Sequence, residues 1–385
     1  MKISVVGLGK AGLPLAAVIA DSGLDVLGVD VDKKRVMDIE NGLNPIPEET
    51  GLDKLIKKHI RKNLNVTSDP LTAAKSCNAH IVIVPLFIDD NKKPDFSVLK
   101  KAFTCIGQGL KKGDIVVLET TVPTGTTKGL NKDILEKESG FVAGIDFFLA
   151  HSPERIMTGH SISRFKEFPK IVGGINKRSG EKAAEIYRHF SNIQIVKNST
   201  TAEMIKIAEG IYRDVNIGLA NELLKVCDSI GVDFSEMRKY ANHKYCNIHQ
   251  AGIGVGGHCI PVYPWFIINQ MDVPIIKTAR IENDKMIYYW KDKISALHPK
   301  GAKIGVVGLS YRSDVKELAY TRSIPFIELL EQEGFDVYVA DELFSKNEII
   351  NLGFKALEKY DQMDLIVQLH DSVKFPENKT LVIQR

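Results

Sequence analysis

Short, nearly uninterrupted apolar runs alternate with stretches of helical periodicity through the first half of the chain. Lys2–Gly7 (KISVVG), Asp25–Asp30 (DVLGVD), His80–Pro85 (HIVIVP) and Asp114–Thr120 (DIVVLET) have strand length and few polar breaks. Runs of that kind suit strands covered by helices on both faces. Gly12–Ser22 and Lys33–Asn41 carry helical periodicity, and Asp146–Ala150 and Lys170–Val172 are further strand candidates. The βαβα alternation predicts an α/β fold built on a doubly wound parallel sheet.

The texture changes at Thr200. No Pro interrupts the chain from there to Ile230, and apolar residues recur at helical spacing. A helix of that length would run about 45 Å, long enough to link two domains or pair two subunits. A Gly-rich loop follows at Gly252–Gly257, then a second helical stretch near Ile275–Leu297. After the breaker His298–Gly301 a new β run starts at Lys303 (KIGVVGLS). A helix (Ile324–Glu333), a strand (Asp336–Asp341) and an apolar run (Leu365–Leu369) come next. Val306–Leu309 repeats the VVGL of Val5–Leu8, a short architectural echo. The pattern predicts two doubly wound parallel-sheet domains joined by a long central helix. The domain boundaries fall at residues 1–199, 200–298 and 299–385.

Composition narrows the function classes. A chain of 385 residues exceeds one ordinary core. A formal net charge of +3 gives no nucleic-acid footprint. No apolar run approaches the roughly 20 residues of a membrane helix, and a strand beginning at Lys2 leaves no room for a signal peptide. The five cysteines are scattered without repeating spacing, the pattern of reduced thiols. The expectation is a cytoplasmic protein with neither nucleic acid nor membrane as partner.

Gly7-Leu8-Gly9-Lys10-Ala11-Gly12 is a G-x-G-x-x-G that ends a strand and opens a helix. The first glycine permits the tight turn, the second lets backbone approach a pyrophosphate, and the third allows close helix packing. The helix N-terminus faces the negative charge. Isolated, the match is weak; here Asp30 answers it from the end of the next strand, where a carboxylate accepts hydrogen bonds from an adenosine ribose. A carboxylate there repels a 2′-phosphate, so NAD is the expected cofactor, with Arg35 beside it.

Four glycines crowd into Gly252–Gly257, followed by His258, Cys259, Ile260 and Pro261. A thiol just after such a loop would face a ligand held by its backbone. A buried structural cysteine is the usual alternative. Cys246, His249, His258 and Cys259 could suggest zinc, but adjacent residues rarely share one ion and no C-x₂-C pair exists, so no metal is expected. On the long helix, Glu203, Lys206, Arg213 and Asn216 fall within about 140° of one another, a polar stripe able to line a cleft. An ordinary solvated face would look the same.

These residues resemble the UDP-glucose/GDP-mannose dehydrogenase family over almost the whole chain, with motifs in family order. After Gly7–Gly12 and Asp30 come Glu119–Thr127 (ETTVPTGTT), Ser152–Arg155 (SPER), Ala202–Lys206 (AEMIK), Asn221-Glu222, Gly256–Cys259 (GGHC) and Gly308–Arg312 (GLSYR). The resemblance implies two Rossmann-like domains: residues 1–199 bind NAD, residues 200–298 form a central helical dimerisation domain with the nucleophile loop, and residues 299–385 bind a UDP-sugar. It implies a four-electron oxidation of a C6 alcohol with two NAD⁺ through a thiohemiacetal and thioester on Cys259. Lys206 would be the cation near the C6 oxygen, Thr121 would position water or the substrate hydroxyl beside the cofactor, and Glu154 would act as acid and base. Arg155, Arg213, Asn216, Gly256, Gly257, His258, Tyr311 and Arg312 would contact substrate.

Gly-Gly-His-Cys resembles the branch acting on UDP-N-acetylhexosamines, so UDP-N-acetylmannosamine or UDP-N-acetylglucosamine is the expected substrate, and a homodimer the expected assembly. Gly210 stands where the family usually carries Asn, and Tyr263 where it usually carries Asp. Two other functions fit parts of the pattern: a nucleotide-sugar-binding protein with weakened catalysis, and a two-electron β-hydroxyacid-type dehydrogenase.

Overall fold

The computed structural model describes residues 1–155, 159–370, 375–376 and 379–383. The chain divides into two compact units, Met1–Ala208 and Glu209–Arg385.

The first unit is built on an eight-stranded sheet. Its strands are β1 (Lys2–Val6), β2 (Asp25–Val29), β3 (Leu64–Thr67), β4 (Ala79–Val82), β5 (Ile115–Leu118), β6 (Phe148–His151), β7 (Lys170–Gly174) and β8 (Ile193–Ile195). Their spatial order is β8-β7-β6-β5-β4-β1-β2-β3. The order reverses between β1 and β4, the place where open α/β sheets make a ligand crevice. Central strands are apolar on both faces because helices cover both: Ile3, Val5, Ile81 and Val117 on one face and Val82, Val116 and Leu118 on the other have no exposed surface. The helix Gly12–Asp21 closes one face with Leu13, Leu15 and Ile19. Ser4, the polar exception in β1, is paired with His80 Nδ1 at 2.8 Å.

One junction departs from the all-parallel expectation. β6 and β7 pair antiparallel, with Ala150 opposite Gly174 and His151 opposite Gly173. The connection between them carries the short helix Ser161–Glu167, and an antiparallel neighbour needs no crossover.

The long helix runs Ser199–Ile230, 32 residues, and the division between units falls inside it. In the second unit it packs with the helix Pro274–Leu297 and a five-stranded parallel sheet. That sheet consists of β9 (Lys303–Val307), β10 (Asp336–Ala340), β11 (Lys355–Ala356), β12 (Leu365–Gln368) and β13 (Thr380–Val382), in the order β11-β10-β9-β12-β13. One core runs through all of it, from Ala220 and Leu224 through Met286, Trp290 and Ile294 to Ile304, Val306 and Phe326.

A buried polar seam crosses this core. Arg280, fully buried, pairs with Asp214 on the long helix and with Asp284 at 3.0 Å. Asn283 Nδ2 donates to the Asp214 carbonyl at 2.8 Å and to its carboxylate at 2.9 Å, and its Oδ1 accepts from Asn221 at 2.8 Å. Burial pushes the Asp214 carboxyl up to about 6 against the opposing pull of Arg280. Removing one partner of such a pair would strand the other charge, at a cost of roughly 3–5 kcal/mol.

Candidate functional site

In the first unit, Gly7 follows β1 at φ +98° and its N–H donates to the Val29 carbonyl at 2.8 Å. A Cβ on Gly12 would stand 1.8 Å from the Gly7 carbonyl oxygen, so the turn closes only on glycine. A Cβ on Gly9 would meet nothing within 4 Å, leaving its backbone open for approach. Ala11 precedes the helix, and Lys10 extends to Glu48 at 3.5 Å. Asp30 lies just past β2. Its carboxylate accepts the Leu8 N–H at 2.9 Å and the Asp32 N–H at 2.9 Å, and Arg35 covers it at 3.3 Å. An open helix N-terminus with a carboxylate at the next strand end fits a dinucleotide.

Asp30→Ala removes the carboxylate at the strand end and releases Arg35, a natural partner for a 2′-phosphate. The KM for NAD⁺ should rise on the order of tenfold to a hundredfold, the worth of charge-assisted hydrogen bonds. Relative use of NADP⁺ should improve. Unchanged kcat/KM ratios for the two cofactors would remove Asp30 from the ribose site.

Thr121 follows β5 and Glu154 follows β6, both at carboxyl ends of the sheet and both partly buried. Glu154 is tied to the end of β5, its N–H donating to the Glu119 carbonyl at 3.3 Å. Beneath them lies a network that sequence reasoning missed. The buried Glu119 carboxylate accepts Lys170 Nζ at 2.6 Å and the Tyr187 hydroxyl at 2.6 Å. Ser152 Oγ–H donates to the Ile171 carbonyl at 2.7 Å. The Tyr187 hydroxyl is pushed up by burial first and by the Glu119 charge second.

His151, at the end of β6, is wholly buried beside these groups, and neither ring nitrogen has a hydrogen-bond partner among the described residues. Burial, with the Lys170 charge adding, holds its imidazole down from the ordinary 6.5 to about 3. The folded state therefore keeps His151 neutral where the unfolded chain binds a proton. Its contribution to stability is complete above pH 6.5 and is lost as pH falls toward 3, by at most about 1.4 kcal/mol per pH unit. His151→Leu should flatten the decline in melting temperature between about pH 6.5 and pH 4.5. An identical decline in both proteins would contradict this.

The Thr-rich loop is tied to the start of the long helix. The buried Glu203 carboxylate accepts the Gly125 N–H at 2.6 Å and the Thr127 N–H at 2.8 Å. Burial raises that carboxyl against the lowering effect of these bonds. Lys206, partly buried, stands three residues on. The polar stripe expected to line a cleft is thus divided in use. Glu203 is a structural clamp, Asn216 Nδ2 donates to its own helix at Tyr212 O (2.7 Å), and Arg213 is exposed.

In the second unit, the loop Gly252–Gly257 is fixed from several directions. Gly252 donates to Asn221 Oδ1 at 2.9 Å and accepts from Trp290 Nε1 at 3.1 Å. A Cβ on Gly254 would lie 2.4 Å from the Asn283 carbonyl oxygen; one on Gly256 would lie 2.8 Å from Tyr311 Cβ, and one on Gly257 3.0 Å from the Tyr311 ring. The close approach that the glycines permit is therefore made by the protein's own helix and by Tyr311. Gly257 N–H donates to the Ala319 carbonyl at 3.0 Å. His258 is half exposed and paired with Glu317 at 3.4 Å; Arg312 pairs with Asp314. Of the five cysteines, Cys77 and Cys227 are buried, Cys105 and Cys246 partly so, and Cys259 is exposed.

The VVGL echo extends further than its four letters. Gly308 N–H donates to Ala340 O at 2.9 Å, and Leu309 N–H to the Asp341 carboxylate at 2.7 Å, as Gly7 and Leu8 do to Val29 and Asp30. The next helix, however, begins only at Ser323, and the His370 ring sits 2.9 Å from where a Gly308 Cβ would be.

A Gly-rich turn of this kind on a doubly wound sheet is the arrangement of a dinucleotide-binding domain. The chain belongs to the UDP-glucose/GDP-mannose dehydrogenase family: residues 1–191 match its NAD binding domain and residues 200–285 its central domain. It is 41% identical over 352 residues to a UDP-N-acetyl-D-mannosamine dehydrogenase of Methanococcus maripaludis strain C7, covering 88% of this chain and 79% of the relative. It is 38% identical over 345 residues to an NDP-N-acetyl-D-galactosaminuronic acid dehydrogenase of Ralstonia nicotianae, covering 86% and 80%. The structure of UDP-D-ManNAc dehydrogenase from Pyrococcus horikoshii matches with a TM-score of 0.88 and 30% identity, over 100% of this chain and 95% of that one. The protein is a nucleotide-sugar dehydrogenase that uses NAD. Among the described residues no helix is long and apolar enough to cross a membrane.

Proposed function

We propose that this chain oxidises the C6 primary alcohol of a UDP-N-acetylhexosamine, by preference UDP-N-acetylmannosamine or UDP-N-acetylglucosamine, to the uronate, with Cys259 as covalent nucleophile. The exposed thiol on a loop pinned by Asn221, Trp290 and Tyr311 carries the proposal. The change from CH₂OH to carboxylate removes four electrons, which two NAD⁺ used in turn would take up as two hydrides. The Cys259 thiolate adds to the C6 aldehyde as a thiohemiacetal, the second oxidation leaves a thioester, and water cleaves it to release the carboxylate and the thiol. Covalent capture keeps a reactive aldehyde from leaking between steps.

Lys206 supplies positive charge to the C6 oxygen as it becomes anionic. Thr121 holds the water or the substrate hydroxyl, and Glu154 moves the protons of hydrolysis. Gly7, Gly9, Lys10, Ala11, Gly12, Asp30, Arg35 and Thr121 would hold NAD. Arg155, Arg213, Asn216, Gly256, Gly257, His258, Tyr311 and Arg312 would contact the UDP-sugar, with residues 299–385 receiving the nucleotide. The names of the relatives from Methanococcus maripaludis and Pyrococcus horikoshii support an N-acetylmannosamine substrate. Scattered free cysteines support a reducing, cytoplasmic setting.

A homodimer through the long helix completes the proposal. Tyr212, Leu219 and Val226 are exposed at seven-residue spacing, with Ile230 beyond them. Such a stripe is self-complementary about a two-fold axis. A strictly monomeric species in sedimentation at micromolar concentration would refute it. For the substrate, initial rates across a panel of UDP-sugars should give the highest kcat/KM with an N-acetylhexosamine. A clear preference for UDP-glucose would refute that choice.

A further inference from the structure

Gly210 occupies the interior of the long helix, where glycine loses more chain freedom than any other residue and needs a local reason. The reason is an aromatic ring. A Cβ on Gly210 would stand 2.7 Å from Tyr263 Cδ2 and 3.3 Å from Tyr263 Cβ, closer than carbons approach without displacement. Tyr263 is only 8% exposed and lies against Phe266, ring centroids 5.8 Å apart. Its N–H donates to the Cys259 carbonyl at 3.0 Å, and Val262 N–H donates to the same oxygen at 3.1 Å. The turn that begins at Cys259 is closed by Tyr263, and the ring of Tyr263 is lodged in the notch of a glycine. The two residues whose identities stood out in the sequence are one packing unit.

We propose that Tyr263 is a positioning residue for Cys259: its ring, seated over Gly210, fixes the turn from which the thiol projects. The inference rests on the reading of Cys259 as the nucleophile, and it assigns Gly210 and Tyr263 a joint role rather than two losses of polar function. Gly252 and Gly254 hold the loop upstream of the thiol; the Gly210–Tyr263 seat holds it downstream.

Four variants test this: Gly210→Ala, Tyr263→Ala, Tyr263→Phe and the double Gly210→Ala/Tyr263→Ala. Measured for each are kcat, the KM for NAD⁺, the melting temperature, and the rate of Cys259 alkylation by iodoacetamide, read on the Cys259 peptide by mass spectrometry. Gly210→Ala should lower kcat about tenfold to a hundredfold, as expected for a misplaced reacting group, and alter the alkylation rate. The KM for NAD⁺ should stay within about twofold, because a ground-state cofactor contact is not involved. Tyr263→Phe keeps the ring that fills the notch, so its melting temperature and alkylation rate should lie far closer to the wild type than those of Tyr263→Ala. In the Tyr263→Ala background, adding Ala at 210 should change melting temperature and alkylation little further, since the vacated volume takes the methyl group.

Independent, additive effects of the two alanines would overturn the proposal, as would Tyr263→Phe behaving like Tyr263→Ala. Failure of the nucleophile reading would look different. Cys259→Ser would then keep full turnover, while the non-additivity of melting temperature and alkylation rate would persist.

Discussion

Cys259→Ser is expected to reduce carboxylate formation by on the order of 10³-fold or more while leaving the fold and NAD⁺ binding intact. The side chain is exposed, and the loop that carries it is anchored through Gly252, Gly254 and Gly257, none of which involves the sulfur. The loss is therefore chemical. An alkoxide leaves a tetrahedral centre far less readily than a thiolate, so a serine ester, once formed, should persist. Intact-protein mass spectrometry should then find a sugar adduct on the variant, alongside a slow first oxidation. Near-wild-type turnover by Cys259→Ser would remove the thioester from the mechanism.

Gly12→Ala is expected to weaken cofactor binding severely, by a smaller factor than Cys259→Ser slows the chemistry. The added methyl would sit 1.8 Å from the Gly7 carbonyl oxygen and 2.8 Å from Ile83 Cγ2, so the turn must open. Opening it moves the Gly9 and Lys10 backbone away from the pyrophosphate position. NAD⁺ affinity by calorimetry should fall on the order of a hundredfold, the scale of an ångström-sized misplacement. UDP-sugar binding should survive. Wild-type affinity for NAD⁺ would mean that the cofactor does not use this turn.

The parallel strands were legible because both faces are buried and their sequences are apolar throughout; β1, β2 and β5 fall within the runs read from the pattern, and β4 begins one residue before its run, at Ala79. β3 was not, because it lies at the sheet edge with Asn65, Val66 and Thr67 only partly covered or exposed. The helix Leu52–His59 buries Leu52, Ile56 and His59, too few apolar positions in eight residues to declare a period. The antiparallel step between β6 and β7 depends on the path of the connection, which no strand composition encodes.

The site divides in the same way. The dinucleotide turn is local, its glycines and Asp30 set by short spacings, so sequence reached it. The glycine density before Cys259 was visible, but the groups that press against it come from residues far along the chain: the Asn283 carbonyl and the Tyr311 ring. The same distance hid the clamp at Glu203, the Glu119–Lys170–Tyr187 network and the seat of Tyr263 on Gly210. The helical stripe was read correctly as periodicity, yet periodicity could not tell that Glu203 turns inward to backbone N–H groups while Arg213 stays exposed.

The central claim is a four-electron oxidation carried through one thiol, and the yield of NADH per sugar consumed tests it most directly. With UDP-N-acetylmannosamine or UDP-N-acetylglucosamine limiting and NAD⁺ in excess, the account predicts two NADH for each sugar converted, with the uronate as product and no free aldehyde trapped by hydrazine. One NADH per sugar would assign the chain to simple alcohol dehydrogenation, and none would make it a binding protein; either result would contradict the account.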